Sequence, residues 1–365
     1  MRILHYYDKD DAMVGQHVKL LTESMGLEAE NHTATQAEQA RTLLKGGQYN
    51  VLHLHGCWRN SSHSVVTLAF KLGVRLVLTP HGQLQPWVQE ENRWKEKLPK
   101  RLLYQRSIVK KAYAVIIQGR MEQECMEQLG WNARTVIIRN AVVTSSITAT
   151  DMARQTFAVY RKVMDSNPLE LMDSDMRKTL HDILMTGITG DKRWLTEPFQ
   201  PSPLSSEQWR QLLCYAHQEH ITDTLRKGLR ILGLEAPDMD VEQIAYFLPD
   251  GFRQAESIKQ TIGYQFASEN DRLMATFRYL RKLATNGQLG ISHLIELDRE
   301  LREHGCEEEA LADDLKERRL WTIASRLMQI ASSLTGLTEG FMPVTPTNDR
   351  ATRKLRKQIE NHLKI

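Results

Sequence analysis

The chain is expected to be an α/β protein: a Rossmann-like parallel sheet domain followed by an all-α C-terminal domain. Three observations carry this expectation. Over residues 1–145, short apolar runs rich in Val, Ile and Leu alternate with helical patterns. Four of the five runs close at Gly, Asn or Pro. Beyond residue 150 the runs stop and helical spacing takes over. Continuous apolar strands alternating with helices form a parallel sheet covered on both faces, because each crossover helix lies on a face.

The elements follow in order. "RILHYY" is the first strand, and after it Val18, Leu21 and Met25 share one helical face. "YNVLHLHG" is the second strand, and Val66, Phe70 and, at the edge, Leu72 mark the next helix. "VRLVLTPHG", "AYAVIIQG" and "ARTVIIRN" supply three more strands. The third stops at Thr-Pro-His-Gly, where Pro80 lacks the N–H a central strand needs and Gly82 permits unusual backbone angles. Parallel sheets bind ligands at the carboxyl ends of their strands. His55, His81 and Gly119 fall at such ends.

The second half has another pattern. Amphipathic stretches such as "DRLMATFRYLRKLAT" and "SHLIELDRELREHG" predict helices. Residues 186–206 read as a loop, with Ser205 or Ser206 as the helix N-cap after it. Bulk composition narrows the classes. Lys and Arg total 48 against 45 Asp and Glu, a formal +3, which excludes an extreme polyanion-binding protein. Hydrophobic residues at 41% fit a globular chain. Cys57, Cys125, Cys214 and Cys306 lie far apart, so no zinc site or disulfide framework is expected. No apolar run approaches the ~18–20 residues of a membrane span. Localisation is expected to be cytoplasmic, with any membrane work done from the inner face.

The ordered motifs "VLHLHGCW", "RLVLTPHGQLQPW", "RWKEKLPKRLLYQRSIVKKAYAVIIQG", "RMEQECMEQLGWN" and "TVIIRNAVVT" resemble the acceptor-side domain of family-4 glycosyltransferases of GT-B type. The likeness is to sugar transferases of bacterial surface-polysaccharide pathways. It implies a Rossmann-like acceptor domain, a nucleotide sugar as donor substrate, no cofactor, and a glycan or lipid-linked acceptor. It also implies a second Rossmann-like domain for the donor, bearing an Arg, a Lys and a Glu-x7-Glu motif. Here "SSITATDMARQTFAVYRKVMDSN" follows "RNAVVT" directly and looks like the helix that crosses back onto the first domain. Residues 1–165 are therefore expected to form the acceptor-type domain with a crossing helix over 150–165. Residues 166–365 form a helical domain of unknown role, and the donor domain is absent. Glu300 with Glu308, and Glu309 with Glu317, have the Glu-x7-Glu spacing, but chance supplies it in so charged a stretch.

His81 is the catalytic candidate. A strand-end imidazole can orient an acceptor hydroxyl or stabilise charge on a leaving diphosphate; alternatively it pins the turn. Gly15, His55, Gly82, Trp58, Trp87 and Glu122 are the substrate-binding candidates. Gly15 stands where the family approaches the diphosphate, and at a helix start it would offer free N–H groups. Asp8, Asp10 and Asp11 beside it would repel phosphate. His53 and His55, either side of Leu54, are expected on opposite faces of their strand, with His55 nearer the cleft. That split speaks against a metal site from His53, His55, His63 and His81, and no metal is expected. Trp58 and Trp87, on loops, either stack sugar rings or cap the core. Glu122 is expected to complement a helix N-terminus.

A basic segment supplies Lys95, Lys97, Lys100, Arg101, Lys110 and Lys111, with Leu98, Leu102, Val109 and Ala112 as its apolar face. Such a helix suits an anionic membrane at about 1 kcal/mol per charge, or is a solvated surface helix. The tail "RATRKLRKQIENHLKI", with Leu355, Ile359 and Leu363 in one stripe, docks on lipid, a partner or this protein's own core. Nucleic acid is not expected. The expected function is glycosyltransferase-like, in bacterial surface-polysaccharide biosynthesis. The alternative is a catalytically inactive glycan- or lipid-carrier-binding or scaffold protein, assembled with a protein partner through its helices.

Overall fold

The computed structural model describes residues 1–91, 97–195, 197–199, 203–263 and 265–365. The chain divides into two units. The first is Met1–Ser166 with Ile244–Asp250 and Ile365; the second is Asn167–Gln243 and Gly251–Lys364.

The first unit runs β1 (Arg2–Tyr6), α1 (Ala12–Met25), β2 (Glu30–Ala34), α2 (Ala37–Gly46), β3 (Val51–His55), α3 (Asn60–Lys71), β4 (Arg75–Thr79) and α4 (Pro86–Glu90). It continues with α5 (Leu98–Lys100), a π-helical turn (Arg101–Gln105), α6 (Arg106–Lys111), β5 (Ala114–Ile117), α7 (Arg120–Leu129), β6 (Thr135–Ile137) and α8 (Ala149–Asp165). All six strands are parallel, in the order β2-β1-β3-β4-β5-β6. This is the Rossmann-like sheet the apolar runs predict. β2, "ENHTA", is an addition: it is an edge strand, and four of its five side chains stay partly or fully exposed, so no apolar run announces it.

Strand alternation gives the sheet two unlike faces. Leu4, Tyr6, Leu52, Leu54, Leu76 and Leu78 join Val65, Val66 and Ala69 of α3 and Ala40 and Leu44 of α2 in one apolar core. Burying each such side chain contributes about 1.5–3 kcal/mol. His5, His53 and His55 lie on the other face, under α1 and α8. In α1, Asp11 caps the start by accepting from Val14 N, and Val14, Val18, Leu21 and Met25 form the buried stripe. In α8, Thr148 caps the start. Its end is closed by the buried Arg75 guanidinium, which donates to the carbonyls of Met164 (3.2 Å) and Ser166 (2.5 Å) and lies over the Tyr113 ring. A cation there complements the helix dipole.

The basic segment departs from expectation. Val109 and Ala112 are buried, but Leu102 is 76% exposed and Leu103 77%; Tyr104, Gln105 and Ile108 complete the inner face instead. The π-helical turn adds a residue within this stretch, which rotates Leu102 outward from the stripe a regular helix would give. Lys97, Arg101 and Lys111 lie over the rings of Trp58, Trp131 and Phe70. Lys95 lies outside the described residues.

The second unit contains α9 (Ser174–Thr189), α10 (Ser206–Gln218), α11 (Thr222–Leu232), α12 (Ile258–Ile262), α13 (Glu269–Asn286), α14 (Ile291–Glu303), α15 (Glu308–Glu317), α16 (Trp321–Leu334) and α17 (Arg350–Glu360). Among the described residues no strand follows β6. Ser205 caps α10 in a capping box with Gln208. α9 and α11 cross closely at Gly187 and Gly228, where an added Cβ would strike the opposite backbone. Leu355 and Ile359 enter the core formed by α13, α14 and α16, so this part of the tail's stripe docks on its own unit, and Leu363 is buried as well. Glu300 is buried and pairs with Arg272, which takes it out of any donor site built on the Glu300/Glu308 spacing. Among the described residues no helix is long and apolar enough to cross a membrane.

Candidate functional site

The carboxyl ends of β3, β4 and β5 converge on the turn Pro80–Gly82. His81 (φ 52°) and Gly82 (φ 78°) both adopt left-handed backbone. Glycine takes this freely, whereas a histidine held there is a strained position that the surroundings must enforce. Glu122, in the first turn of α7, supplies part of that enforcement. Its Oε1 accepts from Gly82 N (2.6 Å) and its Oε2 from Gln118 N (2.8 Å). Burial raises the Glu122 pKa, and the two backbone N–H groups oppose the rise.

His53 and His55 share one face of β3, contrary to the expected split. Residues two apart in a strand point the same way, and their ring centroids are 3.9 Å apart. β1 sets His5 opposite His53 in register. The result is an unbroken row. Asn31 Oδ1 lies 3.1 Å from His5 Nε2, His5 Nδ1 3.1 Å from His55 Nε2, His55 Nδ1 3.1 Å from His81 Nε2, and His81 Nδ1 2.8 Å from Gln118 Nε2.

The direction of this row follows from its ends. Asn31 Nδ2 donates to the Ala29 carbonyl, so its Oδ1 faces His5 as an acceptor. His5 must then carry its proton on Nε2, and with every ring neutral His55 and His81 do the same. His81 Nδ1 is left as the lone pair that accepts from the Gln118 amide. Burial is the first cause holding the rings neutral: it lowers His5 to about 4, His81 to about 3, and His55 well below its ordinary value. Both ring nitrogens of His81 are therefore engaged by the protein. His53 stands aside from the row, bonded to Tyr160 Oη (2.6 Å) and Thr79 Oγ1 (2.7 Å).

His17 completes the cluster from α1, one turn after Val14. Its ring meets those of His81 and His55 edge-on, with centroids 4.9 and 5.8 Å away. Its Nδ1 lies 3.0 Å from Asn140 Oδ1, which also accepts from Val142 N. Nδ1 is therefore the donor, and Nε2 carries a lone pair. Two triplets, His5/His53/His55 and His17/His55/His81, bring ring nitrogens within 4.8 Å, a spacing open to a metal ion. The ring geometry favours hydrogen bonds. In His5–His55 and His55–His81 the centroids stand 5.4 Å apart with nitrogens at 3.1 Å. The difference is the two centroid-to-nitrogen radii, so each N–H points straight at the next lone pair rather than both lone pairs at a shared ion.

The remaining candidates scatter. An open cleft of about 440 Å³ is lined by Asp8, Asp11, His55, Cys57, Arg59 and Gln83 among others. Arg59 pairs with Asp8 there at 3.1 Å. Gly15 lies inside α1 and its N–H donates to the Asp11 carbonyl (2.9 Å), so the expected free N–H is not offered. Trp58 is buried, its Nε1 donating to the Gln83 carbonyl (2.7 Å), and acts as a cap on the core. Trp87 lies in α4, 55% exposed. His63 sits against Tyr104, apart from the cluster. His5, His17, Asn31, Gln118 and Asn140 are additions to the expected set. Only the strand-central place of His5, repeated by His53 in the next expected strand, hinted at the row.

Residues 7–141 match the family model of the glycosyl transferase 4-like domain. The match lies within the first unit. No curated protein and no solved structure matches the chain. The matched residues include His17, His53, His55 and His81 together with Asn140, while His5 and Tyr160 lie outside them.

Proposed function

We propose that the first unit binds the hydroxyl-bearing acceptor of a glycosyl transfer, at the cleft beside the histidine row, with a nucleotide sugar as donor. The reading extends to bacterial surface-polysaccharide biosynthesis at the cytoplasmic face of the membrane. The family match supports a glycosyltransferase in general. The carrying observation is the cleft itself: Asp8, Asp10, Asp11 and Arg59 gather hydroxyl-binding groups beside His55 at the carboxyl ends of parallel strands. His81 acts indirectly, its two ring bonds fixing the turn after β4. Exposed Leu102 and Leu103, beside Lys100, Arg106 and Lys110, form a basic apolar patch suited to anionic lipid.

A second reading is a non-catalytic glycan-binding or scaffold protein. It is favoured by the helical second unit, in which the described residues include no strand to build a second nucleotide-binding sheet. Calorimetry against a panel of UDP- and GDP-sugars separates the two. Micromolar binding with turnover on added glycan acceptors is the expected result; silence across the panel favours the scaffold.

A further inference from the structure

The second unit carries an open hollow of about 350 Å³ between α13, α16 and α17. Three arginines line it: Arg281 from α13, Arg319 from the turn before α16, and Arg326 from α16. Among the described residues no Asp or Glu lines it. Asp349, beside it, accepts from Arg326 Nε (3.2 Å) and Nη2 (2.7 Å), which balances that charge and fixes the guanidinium. Arg281 Nη1 donates to the Arg319 carbonyl (3.3 Å), a neutral partner. The Arg319 guanidinium has no hydrogen bond or ion pair among the described residues. Two positive charges in the hollow are thus left without a counter-charge.

Arg319 also occupies a position that suits glycine. α15 closes with Leu320 N donating to the Leu315 carbonyl (2.7 Å) and Arg319 N to the Lys316 carbonyl (3.1 Å). Such a closure puts its middle residue in left-handed backbone, and Arg319 has φ 56°. α7, α9, α11 and α13 end in the same conformation on Gly130, Gly190, Gly233 and Gly287. An arginine here costs stability that glycine would not, and its side chain makes no bond within the chain to offset it.

We infer that this hollow binds a phosphomonoester, held by Arg281 and Arg319 against a wall formed by Arg326. The inference is independent of the transfer proposed for the first unit. A phosphomonoester carries about −1.5 to −2 charges at pH 7, which matches the two uncompensated arginines; a carboxylate or a phosphodiester carries one. Guanidinium forks meet pairs of phosphate oxygens in a shared plane, which an ammonium does not do. The first turn of α16 lines the hollow through Thr322 and Ile323 and has no side-chain cap, so its dipole adds to the attraction. The phosphate group belongs either to a soluble metabolite or to a lipid headgroup such as that of phosphatidic acid.

Calorimetry on the full chain with glycerol 3-phosphate, and flotation with phosphatidic acid vesicles, test the site and separate the two sources. Saturable heat with glycerol 3-phosphate assigns a soluble ligand, and Arg319→Gly should weaken that binding about tenfold or more. Flotation that Arg319→Gly abolishes, with no heat from glycerol 3-phosphate, assigns the lipid headgroup. Without ligand, Arg319→Gly should melt at a higher temperature than the wild type, because glycine takes the left-handed turn freely. A lowered melting temperature shows that the arginine serves the fold and overturns the inference. Lys282→Gln removes an exposed charge beside Arg281 but outside the hollow, and should leave binding unchanged. An equal loss in that variant means diffuse attraction and overturns the site. So does the absence of heat together with flotation that Arg319→Gly leaves intact.

Discussion

His81 Nε2 donates to His55 Nδ1 across 3.1 Å, in line with both rings. The bond ties the strained turn after β4 to the end of β3, and through His5 to the far side of β1. Removing one member strands its neighbour. His5→Phe keeps the ring's bulk but leaves the His55 Nε2–H buried without an acceptor. We expect a loss of about 1–3 kcal/mol in urea unfolding; a variant as stable as the wild type would show that the row contributes no stability.

The same row sets an acid limit. The native pKa values of His5 (about 4) and His81 (about 3) lie below the ordinary 6.5, with His53 and His55 well below it. Depressed native values mean that the unfolded chain binds more protons, so stability is fully present above pH 6.5 and falls as pH drops from there toward 4. Each histidine steepens the fall by at most about 1.4 kcal/mol per pH unit. Unfolding free energies at pH 7.5, 6.5 and 5.5 check this, and His5→Phe should flatten the slope.

Glu219 produces the reverse trend in the second unit. Burial raises its carboxyl to about 8, opposed by the Ile291 N–H. A raised native value gives stability that is complete below the ordinary 4.5 and is lost as pH climbs through 8. His362 Nε2, 3.6 Å away, does not rescue the charge, because burial keeps that ring neutral too. Glu219→Gln should therefore gain on the wild type as pH rises from 6 to 9 in parallel denaturation curves. A constant difference would contradict it.

The crossing of α9 and α11 leaves no room for a methyl group. At Gly228 an added Cβ meets the Ile183 carbonyl, which is backbone and cannot swing aside. Gly228→Ala should lower stability by about 1–3 kcal/mol or more, even though alanine is the better helix former. A thermal shift of a few degrees downward is the readout, and an unchanged melting temperature counts against the close crossing.

The Leu102–Leu103 patch makes a prediction in lipid. Flotation with phosphatidylglycerol-containing vesicles should carry the protein upward, and Leu102→Ser with Leu103→Ser should abolish it without altering unfolding, since both side chains are already exposed. Equal flotation of the double variant rules the patch out.

Much of the fold was legible in the chain. Val-, Ile- and Leu-rich runs marked β1, β3, β4 and β5, because strands buried on both faces leave a continuous apolar signature, and the apolar residues of the edge strand β6 marked it too. β2 left none, since its side chains are mostly polar and stay in water. Leu355, Ile359 and Leu363 were visible as a stripe, but a stripe is the same whether it meets lipid, a partner or the protein itself. The outward turn of Leu102 depends on a π-helical turn that no residue type announces.

The sequence by itself determined the layered sheet, the helical second half and the histidine on its Pro-Gly turn, because burial imposes local periods on local residues. Only the tertiary structure decided which histidines meet. His5, His17, His55 and His81 come from β1, α1, β3 and the turn after β4, and strand order with one shared face brings them into contact. The His17–Asn140 bond likewise joins residues 123 apart in the chain. Hydrogen-bond direction depends on partners that a linear chain does not place side by side.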